Sequence, residues 1–174
     1  MCFGLVESEE PSLTITPYGQ KATVAAWCAL DQFIVSGHVD GSINLWDMDG
    51  ELFWEPEDKA HQGEITDLQV AEDSSYFITS SKDKQAKIWS VGPDKDPNGE
   101  EQYITLIKTF LNEPPLNSAA LIPGKPYVLC GGGQDAMAVT TTSARQGHFE
   151  IRFWHRIFEE EVARVKGGFG PCNT

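Results

Sequence analysis

The chain is short of positive charge. Its 174 residues carry 13 Lys and Arg against 26 Asp and Glu, a formal net charge of −13. A surface that displaces counterions from a nucleic-acid backbone needs the opposite balance, so no direct nucleic-acid binding is expected. Cysteine is sparse as well. Cys2, Cys28, Cys130 and Cys172 lie far apart with no Cys-x-x-Cys pair, which leaves neither a zinc site nor a disulfide framework. Cys28 and Cys130 sit in apolar strand contexts, where a free thiol serves as a small core residue. No apolar run approaches the length of a membrane span. The first residues lack the basic region of a signal peptide and turn acidic by Glu7. A reduced, cytoplasmic setting away from membranes is the expectation.

What the chain has instead is repetition. Val35-Ser36-Gly37-His38-Val39-Asp40-Gly41-Ser42-Ile43-Asn44-Leu45-Trp46 lies over Ile78-Thr79-Ser80-Ser81-Lys82-Asp83-Lys84-Gln85-Ala86-Lys87-Ile88-Trp89, with Asp40 to Asp83 and Trp46 to Trp89 both 43 residues apart. A strand ending in small hydroxyl residues, a tight Asp-bearing turn and a second strand ending in Trp are the marks of a WD-type propeller blade of about 40–45 residues. The expected fold is therefore all-β, a WD-repeat β-propeller. Short apolar runs bounded by turn residues support it at 24–28, 32–35, 42–46 and 52–54, then at 65–70, 76–79, 86–89 and 103–110. Residues 90–102, with two glycines and two prolines, read as an exposed loop.

A third unit opens at 116–121, continues through 127–130, turns at Gly131-Gly132-Gly133-Gln134-Asp135 and resumes at 137–142. Its last strand is expected within 149–158. Helix and edge strand are not separable over 158–165. The division that follows is a blade tail at 1–17, blades at 18–60, 61–111 and 112–166, and the start of another at 167–174. Three whole blades and two partial ones imply a piece of a longer ring, because ring closure is what removes exposed sheet edges.

His61, Thr79, Asp83 and Trp89 occupy the four positions that tie a blade together: indole to hydroxyl, hydroxyl to imidazole, imidazole to carboxylate. Such a buried chain is stable only when every member is paired. The same letters spell a Ser/His/Asp triad, but the spacing is that of the repeat and no nucleophile elbow surrounds the hydroxyl. The preceding unit keeps Ser36, Asp40 and Trp46, with Tyr18 at the His position. The following one has Asp135 and Thr141, with Asn112 at the His position and Gly131 at the hydroxyl. His38, His148 and His155 show no metal-ligand spacing, so neither metal nor cofactor is expected.

The triple glycine lacks the Gly-Lys-Ser/Thr ending of a phosphate loop, and a turn explains it better. Arg145, Arg152, Arg156, Arg164 and Lys166 interleave with Phe149, Phe153, Trp154 and Phe158, a pattern that can stack RNA bases. Glu150 and Glu159-Glu160-Glu161 neutralise that field, which favours a protein interface. The reading is a non-enzymatic interaction scaffold.

The third unit resembles a particular family, subunit i of eukaryotic translation initiation factor three. The resemblance rests on Pro115-Leu116-Asn117-Ser118-Ala119-Ala120, Gly131-Gly132-Gly133-Gln134-Asp135-Ala136, Val139-Thr140-Thr141-Thr142-Ser143, Phe158-Glu159-Glu160-Glu161, Arg164-Val165-Lys166-Gly167 and Phe169-Gly170-Pro171. It weakens toward the N-terminus but stays collinear along nearly the whole chain. Gly168 departs, since the family has His there. The resemblance implies roughly the fourth to sixth blades of a seven-bladed ring, in a non-catalytic cytoplasmic subunit. Such a subunit docks a C-terminal helix of the b subunit, joins the g subunit and supports the small ribosomal subunit's initiation complex. Asp67 and Asp83 are the candidate partner-binding carboxylates, with Asp67 the stronger because His61 can occupy Asp83. A signalling adaptor outside translation is the alternative.

Overall fold

The computed structural model describes residues 2–3, 13–15, 20–28, 32–95, 99–133 and 150–166. Strands β1 (Cys2–Phe3) and β2 (Leu13–Thr14) form a two-stranded ladder. Three four-stranded antiparallel sheets follow in chain order. The first holds β3 (Ala22–Cys28), β4 (Phe33–His38), β5 (Ile43–Trp46) and β6 (Leu52–Trp54). The second holds β7 (Ile65–Val70), β8 (Tyr76–Ser81), β9 (Gln85–Lys95) and β10 (Glu101–Leu111). The third holds β11 (Leu116–Leu121), β12 (Tyr127–Gly132), β13 (Glu150–His155) and β14 (Glu161–Lys166). Each sheet runs in sequence order from one edge to the other, and no helix occurs among the described residues.

The sheets stack face to face, and this decides how their strands read. In β8 every residue after Tyr76 is buried, because Phe77 faces the first sheet and Ile78 the third. A strand sealed on both faces shows a continuous apolar run rather than alternation. One core joins the first two sheets through Val35, Leu45, Ile65, Phe77 and Trp89; another joins the last two through Ile78, Ile88, Phe110, Leu116 and Val128. Burying one such side chain contributes about 1.5–3 kcal/mol.

The opening strands β3, β7 and β11 share a device. Each carries a bulge near its start, at 22–24, 65–67 and 116–118. The extra residue is freed to reach its neighbour. Thr23 Oγ1 donates to the Ile65 carbonyl at 2.6 Å, and Thr66 Oγ1 to the Leu116 carbonyl at 3.0 Å. In the third sheet the bulge residue is Asn117, whose Oδ1 accepts from Lys82 Nζ at 2.7 Å.

The hairpin turns repeat as well. Gly41 and Lys84, equivalent by the 43-residue step, both adopt positive φ, at 87° and 71°. A Cβ built on Gly41 would lie 2.1 Å from the His61 carbonyl oxygen, so glycine is needed there for space as much as for conformation.

Three sequence expectations are corrected. Residues 90–95 and 101–102 are paired strand rather than loop, with the irregularity absorbed by a register shift between Gln102 and Ile104. In the third sheet the strand beside β12 is β13, and the fourth is β14, so 149–158 does not hold the last strand. Gly131 and Gly132 belong to β12 rather than to a turn. A Cβ on Gly132 would sit 2.4 Å from the Pro115 carbonyl oxygen, so the glycine there permits close approach of two backbones. The segment 137–142, together with Tyr18, Asp135, Thr141, Arg145, His148, Phe149 and Gly168, lies outside the described residues.

Candidate functional site

The second sheet brings His61, Thr79, Asp83 and Trp89 into one line. Trp89 Nε1 donates to Thr79 Oγ1 at 2.9 Å, and Thr79 Oγ1 lies 2.8 Å from His61 Nε2. His61 Nδ1 lies 3.0 Å from Asp83 Oδ2. The carboxylate accepts, so Nδ1 carries the proton; Nε2 then accepts from the Thr79 hydroxyl, and that oxygen accepts from the indole. His61 is fully buried and the Asp83 side chain is 8% exposed. Burial pushes the imidazole below its usual range, although the Asp83 charge pulls the other way. Asp83 also takes the Gln62 N–H through Oδ2 and the Gln85 N–H through Oδ1, each at 3.0 Å. Both of its oxygens are occupied. The hydroxyl has no access to a substrate, and the arrangement can hold a blade but not attack a bond.

The first sheet builds a shorter version differently. Trp46 Nε1 donates to Ser36 Oγ at 2.7 Å, and Ser36 Oγ lies 2.9 Å from His38 Nε2. The imidazole thus comes from two residues along the same strand, not from the connecting loop. The repeat pattern does not reveal it, because that pattern places the His in the connecting loop. The available signal was a buried-type His two residues after the hydroxyl. Asp40 is turned elsewhere: it accepts from Ser42 N and Oγ and pairs with Lys59 at 3.1 Å. Partial burial opposes its charge, yet the Ser42 bonds and Lys59 hold it below the usual carboxylate range.

The third sheet keeps the positions and loses the chain. Register places Trp154 opposite Val128, as Trp89 stands opposite Phe77 and Trp46 opposite Ile34. Two residues along β12 the hydroxyl position is therefore Cys130, not Gly131. Asn112 holds the His position, since its N–H bonds the Lys84 carbonyl at 2.8 Å as the His61 N–H bonds Gly41 at 2.9 Å. Asn112 Oδ1 and Trp154 Nε1 are buried without partners. Burial pushes the Cys130 thiol up to about 12. Ions take over nearby. Arg152, opposite Cys130, reaches Glu113 at 2.6 Å, and Glu150 takes Arg164 at 3.1 Å and Lys166 at 3.3 Å. Arg156 stacks on Tyr76, 5.2 Å from its centroid. Of the basic residues interleaved with aromatics, Arg152, Arg156, Arg164 and Lys166 are thus engaged within the protein.

Asp67 lies half-buried in β7. Its Oδ1 accepts from Leu68 N at 2.9 Å and its Oδ2 from Ser118 Oγ of the third sheet at 2.7 Å. It bridges two sheets, while Asp83 sits in the β8–β9 turn. Among the described residues no group of His, Cys, Asp or Glu is arranged to hold a metal ion, and no helix is long and apolar enough to cross a membrane.

Stacked four-stranded sheets, bulged opening strands and a Trp–hydroxyl–His chain make this a WD40-repeat β-propeller protein. The WD domain, G-beta repeat family model matches residues 12–47 and 55–90. The propeller domain of Cps50 (Swd1) from Myceliophteria thermophila superposes with a TM-score of 0.66 at 17% identity, covering 86% of this chain and 42% of that one. The WD40 repeats of RRP9 superpose with a TM-score of 0.61 at 14% identity, covering 88% and 41%. Within this class the chain is a homologue of subunit I of eukaryotic translation initiation factor 3. It is 49% identical to that protein of Mycosarcoma maydis over 95% of this chain and 47% of the relative. The Emericella nidulans protein is 48% identical over 97% of this chain and 47% of its own length. The chain spans about half the length of these curated relatives.

Proposed function

We propose that the chain is part of a non-catalytic scaffold subunit of a cytoplasmic translation initiation factor complex. The observation that carries this is the collinear identity, close to one residue in two over nearly the whole chain, with relatives named as subunit I. The buried state of the hydroxyl and imidazole groups agrees with it, because neither is open to a substrate. The partners are the other subunits of the factor. A C-terminal amphipathic helix of the b subunit docks at the rim formed by Asp67 and the β8–β9 turn, the g subunit joins the same propeller, and the small ribosomal subunit is engaged through them. The ring is divided as 1–17, 18–60, 61–111, 112–166 and 167–174.

Asp83 accepts three hydrogen bonds, from His61, Gln62 and Gln85, with its side chain 8% exposed, whereas Asp67 accepts two, from Leu68 N and Ser118, so Asp67 is the carboxylate with more capacity left to meet a basic helix. Its Ser118 bond holds it in place without neutralising it. The test is affinity capture from eukaryotic cytosol on the full-length protein, with bound proteins identified by mass spectrometry. Titration of the b-subunit helix then compares wild type with Asp67→Asn and Asp67→Lys. Asparagine keeps the acceptor for Ser118 and removes the charge, which separates docking from folding. Factor subunits together with small-subunit ribosomal proteins are expected in the capture. The Lys variant is expected to cost up to a few kcal/mol of helix affinity and the Asn variant less. Unchanged affinity in both overturns the Asp67 assignment. Capture of kinases or receptors without ribosomal proteins overturns the translation role in favour of a signalling adaptor.

A further inference from the structure

A second surface lies away from Asp67 and does not depend on the docking just described. Between the outer strands of the first two sheets runs a groove of about 690 Å³, bounded by β5 and β6 on one side and β9 and β10 on the other. The connection from Trp54 to Ala60 forms its third wall. Its floor is apolar, with Trp54, Ile104 and Leu106, and Leu106 is 46% exposed. Outside its lining, a ring ladder ties the same two sheets together, with Phe53 lying 4.7 Å from both Phe33 and Tyr103. That size falls within the roughly 300–1,000 Å³ typical of binding clefts.

The rim has one sign. Glu55, Glu57 and Asp58 are exposed on the connecting segment, and Glu100 and Glu101 at the start of β10. The two lysines that line the groove are turned to other partners. Lys59 pairs with Asp40 at 3.1 Å, and Lys87 Nζ donates to the Ala60 carbonyl at 2.6 Å. Both β6 and β10, which border the groove, are edge strands of their sheets among the described residues, and an edge strand offers one side of its backbone for strand addition.

We infer that this groove receives an extended, Lys- and Arg-bearing peptide segment of a partner protein. One aliphatic side chain enters between Trp54 and Leu106, and basic side chains meet Glu57, Asp58 and Glu101. Each feature selects for that occupant. The acidic rim rejects nucleic acid and anionic lipid. The apolar floor gives an anchor residue somewhere to be desolvated. The edge strands favour an extended backbone, which pairs by strand addition, over a helix.

The probe is a fluorescein-labelled hexapeptide, Arg-Lys-Leu-Val-Arg-Lys, titrated by anisotropy against the full-length protein in about 50 mM salt, where steering between exposed charges is little screened. The comparison peptide replaces the central Leu-Val by Asp-Ser. The probe is expected to bind at least about tenfold more tightly than the comparison peptide, and both Glu57→Lys/Asp58→Lys and Leu106→Ser are expected to weaken it about tenfold. Equal binding of the two peptides, or unchanged probe affinity in both variants, overturns the inference. Circular dichroism checks that each variant folds. If one does not, photo-crosslinking of the probe to wild-type protein decides: adducts on 53–59 and 101–106 support the groove, and adducts elsewhere overturn it. No factor subunit enters this assay, so its failure leaves the docking at Asp67 untouched.

Discussion

Replacing Thr79 by valine tests whether the polar chain of the second sheet stabilises the fold or merely fits within it. Valine matches threonine in shape, so packing against the surrounding core is retained and only the hydroxyl is lost. Two buried partners then go unsatisfied: Trp89 Nε1, which donates to Oγ1 at 2.9 Å, and His61 Nε2, which lies 2.8 Å from it. Thr79 and His61 are both fully buried, so water cannot replace the bond without opening the sheet. An orphaned buried polar group costs about 1–3 kcal/mol, so two cost about 2–6 kcal/mol. The added methyl returns at most about 0.8 kcal/mol. The expected net loss is therefore about 1–5 kcal/mol. Thr79→Ser supplies the control, because it keeps the hydroxyl and drops a methyl, for a loss near 1 kcal/mol. The assay is urea unfolding of the full-length protein followed by tryptophan fluorescence, comparing midpoints at constant slope. A Thr79→Val midpoint equal to or above that of Thr79→Ser refutes the reasoning. A cycle with Trp89→Phe sharpens it, since the two losses must overlap if one hydrogen bond joins those residues.

Two further outcomes follow from the same geometry. Burial, the largest influence on each, lowers the imidazoles of His38 and His61 below the ordinary 6.5 in the folded chain. The unfolded chain therefore takes up protons first on acidification, and their contribution to stability, complete above about pH 6.5, falls as pH drops toward the folded values. The urea midpoint is expected to fall between about pH 7.5 and 5.5, with NMR titration placing both imidazole midpoints below 6.5; midpoints above 6.5 contradict this. Cys130→Ser is expected to leave stability within about 1 kcal/mol of wild type or to raise it, because the new hydroxyl offers Trp154 Nε1 the acceptor it lacks. Cys28→Ser, in the apolar core joining the first two sheets, is expected to cost about 1–3 kcal/mol, and equal losses in the two variants rule the Cys130 argument out.

The 43-residue step was legible because turn chemistry and side-chain period agree over it. Gly41 and Lys84 repeat the turn, Thr23 and Thr66 repeat the bulge, and Trp46 and Trp89 close the strands. Where these signals separated, the sequence misled. In the third sheet Gly131-Gly132-Gly133 has the composition of a turn, and the threonine run after it has the composition of a strand. Gly132 is glycine because the Pro115 carbonyl crowds it, a long-range cause that no local pattern reports. The strand that answers β12 begins at Glu150, and its Trp154 falls outside the repeat pattern because Trp89 and Trp46 each stand ten residues after their hydroxyl while Trp154 stands 24 after Cys130. His38 falls outside it for a related reason: an imidazole from the same strand satisfies the same kind of hydroxyl as one from the loop.

What is conserved between the sheets is thus a location, the buried end of a Trp side chain, more than a set of residues. The second sheet fills it with Thr79 and His61, the first with Ser36 and His38, and the third leaves Cys130 and Asn112 facing an unanswered indole. A blade sealed between two others takes most of its stability from apolar contact over both faces, which the continuous cores across each junction provide. The polar chain adds a few kcal/mol where it is complete, and its loss in the third sheet is tolerable beside that burial. Compensation is local: ions link β13 and β14 through Glu150, Arg164 and Lys166, and join them to Glu113 through Arg152. A fold held chiefly by stacking leaves its outer strands free to vary, and the outer strands are where the acidic groove between β6 and β10 has been built.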